Sequence, residues 1–343
     1  MPLNNKLFIV LLLNCASILL PFAQSPQLEI CTQSYQTQLR GISIADDASV
    51  WVSGSNGYIG RSVNNGSSWK FQVIPGFEKA EFRDIHAFDS LSAIVMSSVQ
   101  PAAILKTTDG GKRWKTCFVS DDPNIFLDGF DFWNTERGIC IGDPINHHFY
   151  LIETTNGGDT WQMVDDLKMP EIQEGTAAFA ASGNGIQCKP GGKVFFVTGG
   201  NSALLFSSDD FGKSWKAEET PMVSGFASSG IFALEVLNNF TTYIVGGDYT
   251  QSSNTDNNFF YKTRQGNEWK AASIPPSGYR SCVKFIGNDK IICCGVNGVD
   301  VASIKTYRFR NISPATYHTI AYNTKNKQVY LAGSDGKVAR LIY

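Results

Sequence analysis

The sequence predicts an all-β fold: a seven-bladed β-propeller of four-stranded blades, closed by an N-terminal strand that completes the last blade. Three observations carry this. A turn motif recurs at blade-length spacing, a strand start recurs seven times, and the final unit stops one strand short.

The turn motif stands at Ser62–Trp69, Thr107–Trp114, Thr154–Trp161 and Ser208–Trp215, each reading S/T-x-D/N-x-G-x-x-W. A shorter copy runs from Thr263 to Trp269, and Ser303 to Phe309 is a sixth copy without its Gly and Trp; the Trp spacings are 45, 47, 54 and 54 residues. The chemistry suits a β-hairpin turn. The Asp or Asn caps backbone N–H groups, Gly takes a positive φ, and Trp anchors the turn against a neighbouring sheet.

Each unit opens with a polar residue before an apolar alternation. The seven starts are Arg40-Gly41-Ile42, Arg83-Asp84-Ile85, Asp128-Gly129-Phe130, Glu174-Gly175-Thr176, Ser229-Gly230-Ile231, Arg280-Ser281-Cys282 and Tyr317-His318-Thr319. β-rich runs such as Val50–Gly54, Val194–Gly200 and Ile291–Gly295 follow, giving three strands before each turn and one after it. The stretch Gly333–Arg340 repeats Gly54–Arg61, but the chain ends before an outer strand, so Leu28–Thr32 is assigned that place.

Residues 1 to 24 read as a cleavable signal peptide: Lys6 is basic, Leu7–Leu20 is apolar, and cleavage is expected near Gln24. Residues 25 to 343 then form one domain, secreted or periplasmic, with no integral membrane span and expected to be monomeric. Removing the signal moves the formal charge from −2 to −3, which leaves no global basic field for nucleic acid. Seven cysteines remain after Cys15 leaves, and their scattered spacing favours buried thiols over a disulfide framework.

The turns quoted above resemble Asp-box, or BNR, repeats. With Phe82–Ile85, Phe179–Gly183, Val245–Tyr249 and Gly278–Ser281, the whole mature chain resembles the photosystem II stability/assembly factor-like propellers. That resemblance implies a non-catalytic scaffold for a protein partner, contacted through an arginine-rich patch, for which Arg40, Arg83 and Arg280 are the matching candidates. Sialidases also carry these turns. Their resemblance implies an arginine triad on a carboxylate, with Asp128 as acid/base and Tyr317 as nucleophile helped by Glu174, although the sialidase Arg-Ile-Pro motif is replaced by Arg83-Asp84-Ile85.

Topology places Arg40, Arg83, Asp128, Glu174, Arg280, Tyr317 and the adjacent His318 at one mouth of the ring, rimmed by Asp143–His148 and Asp248–Asn258. The preferred reading is an arginine-lined funnel for an acidic protein segment, an acidic glycan or another carboxylate-bearing ligand. The alternative is a sialidase-like hydrolase. The four histidines fall in no metal motif, and no phosphate-binding or dinucleotide loop is present, so neither metal nor cofactor is expected.

Overall fold

The computed structural model describes residues 26–45, 49–99, 101–165, 167–238, 240–266 and 268–342. The assigned signal peptide lies outside the described residues. Seven antiparallel sheets surround one axis. Their inner strands are Leu39–Ile44, Phe82–Ala87, Leu127–Phe132, Ile186–Lys189, Phe226–Val236, Cys282–Phe285 and Thr319–Tyr322, which define blades one to seven. Among the described residues, helix is confined to single 3-10 turns at Tyr249–Gln251 and Ser334–Gly336. No helix among the described residues is long and apolar enough to cross a membrane.

The ring closes as the sequence predicts. Gln27–Thr32 pairs antiparallel with Val338–Ile342, setting Leu28 opposite Leu341 and Glu29 opposite Arg340. An Arg340 Nε–Glu29 Oε2 bond of 2.7 Å crosses the pair. The apolar core is correspondingly divided into seven inter-blade layers. Leu39 and Val52 pack on Ala332 and Val338 at the closing interface, while the layer between blades three and four joins Ile139, Ile141, Phe196 and Phe206.

The four full repeat turns share one hydrogen-bond pattern. Ser62, Thr107, Thr154 and Ser208 each accept from the N–H of the Gly four residues later, at 2.9 to 3.0 Å. Asn64, Asp109, Asn156 and Asp210 accept from the N–H four residues beyond themselves, at 2.8 to 3.0 Å. The glycines hold φ between 73° and 85°. Two also press on the preceding blade: a Cβ on Gly158 would collide with Ile94, and one on Gly212 with Ile139. Each Trp completes the same contact. Trp161 joins a layer with Ile94 and Ile104 of blade two, Trp215 packs with Ile139, and Trp114 meets Trp51 edge-on at 6.4 Å.

Blade four departs from the expected register. Glu174-Gly175-Thr176 does not begin its inner strand, which starts at Ile186; instead Thr176–Ala177 pairs with Gly199–Gly200, which extends the inner side of the fifth sheet. The intervening residues leave the blade and cross the axis. All seven cysteines of the described chain are free thiols, with Cys140, Cys282, Cys293 and Cys294 buried.

Trp215, 6% exposed, should cost about 3–5 kcal/mol on replacement by alanine, measured by denaturant unfolding, with a smaller loss at the half-buried Trp69. Deleting residues 26–33 should uncover the Val338–Ile342 edge and convert the monomer expected from the sequence to aggregates in size-exclusion chromatography.

Candidate functional site

All seven inner strands run in the same sense along the axis, so their first residues share one face. At Arg40, Arg83 and Asp128 the pairing register slips by one residue, between Leu39 and Gly41, Phe82 and Asp84, and Leu127 and Gly129. Blade five has the same slip at Phe232, between Ile231 and Ala233. A bulge of this kind leaves one residue out of the ladder and re-aims its side chain. Here it directs two guanidiniums, a carboxyl and a ring at the segment that crosses the axis.

That segment, Phe179 to Asn184, is a plug. Arg40 Nη1 donates to Ala181 O and Arg83 Nη1 to Ala180 O, both at 3.3 Å. Ser182 Oγ donates to Ser281 O at 2.6 Å, and Thr319 Oγ1 donates to Ser182 O at 2.9 Å. Leu234 N donates to Asn184 O at 3.0 Å, while Phe179 stacks on Phe232 with 3.9 Å between centroids. Gly183 has φ +70° and lies so close to the Asp84 carboxylate that any Cβ would collide with it. Ala181, Phe232, Tyr279 and Phe179 form a separate apolar cluster at the axis.

Arg40, Arg83, Asp128 and His318 therefore come together. Glu81 pairs with Arg83 at 3.0 Å. Burial, then the charge of Arg83, lowers the pKa of Arg40. His318 contacts Gln38 Oε1 at 3.3 Å and Ser334 Oγ at 3.4 Å. Burial first, and then Arg40 and Arg83, push its pKa down to about 3, so it is neutral at physiological pH. Asp128 is 3% exposed, and burial followed by the nearby Asp143 charge raises its pKa well above the carboxylate range. The Ala180 amide and Arg83 pull the other way without overcoming burial.

The other expected members stand elsewhere. Arg280 is 0% exposed: it pairs with Asp300, donates to Asn297 Oδ1 at 2.6 Å and donates to its neighbour's carbonyl, Tyr279 O, at 2.7 Å. Its assignment to the ligand mouth is corrected, because a buried guanidinium must be paired internally and this one is. Tyr317 is 1% exposed, packed with Cys282, Ile320 and Leu331 between blades six and seven. Glu174 is exposed and lines a rim groove with Asn146 and His147, not the arginine mouth. Asp143 does stand behind Asp128, and Asp248 caps the 3-10 turn by accepting from Thr250 N at 2.9 Å.

Phe179–Gly183 and Tyr279 lie in stretches that carry the family resemblance, but the sequence marks neither them nor Phe232 as parts of the axis. The available signal was Gly183 beside small residues, an unusual start for a strand lacking apolar alternation.

Burial raises the Asp143 pKa to about 6, against the usual 3.8. Between those values the folded chain holds more protons than the unfolded one, so this group's contribution favours folding at low pH and is lost as pH rises through 6. Asp143→Asn, which keeps an acceptor for the Ala178 amide at 3.3 Å, should raise the melting temperature at pH 8 and leave it nearly unchanged at pH 4. Thermal denaturation across that range checks the sign.

No protein-family model matches the chain. A 149-residue stretch is 24% identical to the photosystem II assembly lipoprotein Ycf48 of Synechococcus sp. (strain CC9902), covering 43% of each protein. The chain thus matches less than half the length of that relative. Among solved structures, Ycf48 bound to D1 peptide superposes with a TM-score of 0.67 at 12% identity, covering 92% of this chain and 97% of that one. Ycf48 from Cyanidioschyzon merolae gives 0.64 at 13% identity, covering 92% and 98%. The Pan2 WD40 domain of Neurospora crassa gives 0.62 at 12%, covering 89% of each. At such identities the structural likeness establishes the fold, which other propellers share. With the partial sequence match, the chain is a seven-bladed propeller resembling the photosystem II assembly factor-like proteins.

Proposed function

We propose that the protein is an exported, non-catalytic binding or assembly scaffold that takes an acidic protein segment, or another carboxylate-bearing ligand, at Arg40 and Arg83. One observation carries the reading: two half-buried guanidiniums stand side by side, and among the described residues only Arg83 forms an ion pair, with Glu81. The neighbouring groups do not cancel the excess. His318 is neutral, and burial disfavours the charged form of Asp128. A guanidinium anchored through one nitrogen to a backbone carbonyl is pre-oriented, and its remaining N–H groups suit the two oxygens of a carboxylate.

Supporting this, the Ycf48 structure with the highest similarity quoted above holds a peptide, and the apolar Leu7–Leu20 run after Lys6 suits export. The sialidase-like alternative gains no specific support, since Arg280 and Tyr317 are buried away from the arginine pair.

The test uses the mature chain and fluorescent acidic peptides with a free or an amidated C-terminus, read by anisotropy. Arg40→Gln with Arg83→Gln keeps N–H donors for Ala181 and Ala180 while removing both charges. Affinity should fall by roughly a hundredfold, as for two lost charge-assisted bonds, with melting nearly unchanged. Retained affinity would overturn the proposal. Turnover of sialosides or uronides by the parent chain would replace it with the hydrolase.

A further inference from the structure

The plug has two sides. Beyond it, towards the other ends of the inner strands, a cavity of about 810 Å³ opens on the face away from Arg40 and Arg83. Its walls come from all seven blades, and they are not uniform. Ile42, Ile44, Ile85, Phe285 and Ile320 make an apolar side. The opposite side carries charges in alternating sign on successive blades: Asp131, Lys189, Glu235 and Lys284, from blades three to six.

These charges are unevenly satisfied. Asp131 accepts from Phe132 N at 2.8 Å and Cys188 N at 2.7 Å, with His86 Nδ1 at 3.7 Å. Lys284 pairs with Glu235 at 3.1 Å. Lys189 faces the same space and forms no ion pair with any carboxylate among the described residues. Burial is the largest cause lowering its pKa; the charge of Glu235 opposes it, Lys284 adds to it, and Asp131 opposes it more weakly. Lys327 adds a third ammonium at the rim, donating to Thr324 O at 2.8 Å. Three lysines thus share the wall with Asp84, Asp131 and Glu235. Burial raises the pKa of Asp84, against the amides of Phe130 and Ile85, and lowers that of His86.

A cavity of this size, with one apolar wall and a few convergent polar groups, has the anatomy of a small-molecule site. We propose that it binds a small amphiphile whose anionic head lies between Lys189 and Lys284 and whose apolar body lies on Ile42, Ile44, Ile85 and Ile320. An anion placed there satisfies the unpaired ammonium and separates two like charges, while the isoleucines remove the ligand's apolar surface from water. A free cation would meet Lys189 and Lys284 directly. A wholly apolar ligand would leave Lys189 desolvated without a partner. The head can be a carboxylate or a phosphate monoester, as both offer oxygens to two ammoniums.

Calorimetry on the intact mature chain separates these cases with octanoate, octyl phosphate, octanol and octylamine. The anionic probes should bind and the other two should not; the tighter of octanoate and octyl phosphate identifies the head. Lys189→Gln should weaken the anionic probes about tenfold, and Lys189→Arg should restore them. Octanoate should also protect Lys189 from acetylation, a readout independent of heat. The Arg40→Gln, Arg83→Gln chain should bind the probes unchanged, so failure of the arginine mouth leaves this site standing. Equal binding of octanol and octanoate, undiminished binding by Lys189→Gln, or no binding by any probe would each overturn the proposal.

Discussion

The constraint on which everything else rests is closure. Each sheet has two apolar faces, and neither can be left to water, so every blade must find a neighbour on both sides. Seven inter-blade layers meet that demand only because Gln27–Thr32 supplies the last outer strand. The repeat turns work at the same interfaces. Their side-chain caps spare the backbone unpaired donors at a tight corner, and their glycines and tryptophans fit against the blade before. Local turn chemistry and global ring geometry thus ask for the same residues.

Closure leaves an axis that a small ring of side chains cannot fill. Blade four solves this by delaying its inner strand and sending Phe179–Asn184 across the opening, with hydrogen bonds to blades one, two, five, six and seven. The consequence is two unlike faces. On one, bulges aim Arg40 and Arg83 at plug carbonyls; on the other, the plug is the floor of a mixed apolar and charged cavity. A straight-through channel would have placed both sets of charges in one solvent column.

Legibility follows the range of the interactions involved. The turns were readable because a Ser or Thr, an Asp or Asn and a Gly within eight residues satisfy one another, and the closing strand because the final unit visibly lacked one. Arg40, Arg83 and Asp128 share one periodicity and lie near one another, with His318 beside them. Arg280 shared that periodicity but not that environment: its partner Asp300 comes from a strand two places out in the same blade, and no local pattern announces the pair. Glu174 misled for a different reason. Its Gly-Thr neighbours imitate a strand start, whereas the insertion that forms the plug shifts the true start to Ile186. Lys189 and Lys284 passed unnoticed because a lysine alternating with apolar residues reads as a solvent-facing strand position, and only the ring turns that side inward.

The placement of the acids bears on whether this mouth could do more than bind. Hydrolysis of a glycosidic bond by paired carboxyls requires an acid and a base or nucleophile on opposite sides of one substrate, about 5–10 Å apart. Asp128 is the candidate acid, and burial disfavours its charged form. Its electrostatic surroundings, however, are Asp143 and Arg83, not Glu174, which stands exposed on the rim, and Tyr317 is enclosed by aliphatic side chains with its pKa raised by burial to about 12. Deprotonating that phenol would cost more than in water, since burial disfavours the phenolate. What the mouth retains is a pair of guanidiniums anchored to plug carbonyls. Such a pair holds a carboxylate through ground-state contacts, and contacts of equal strength before and during a reaction do not lower its barrier. The same rigidity that weakens the catalytic reading strengthens the binding one, because side chains anchored in advance lose less freedom when a ligand arrives.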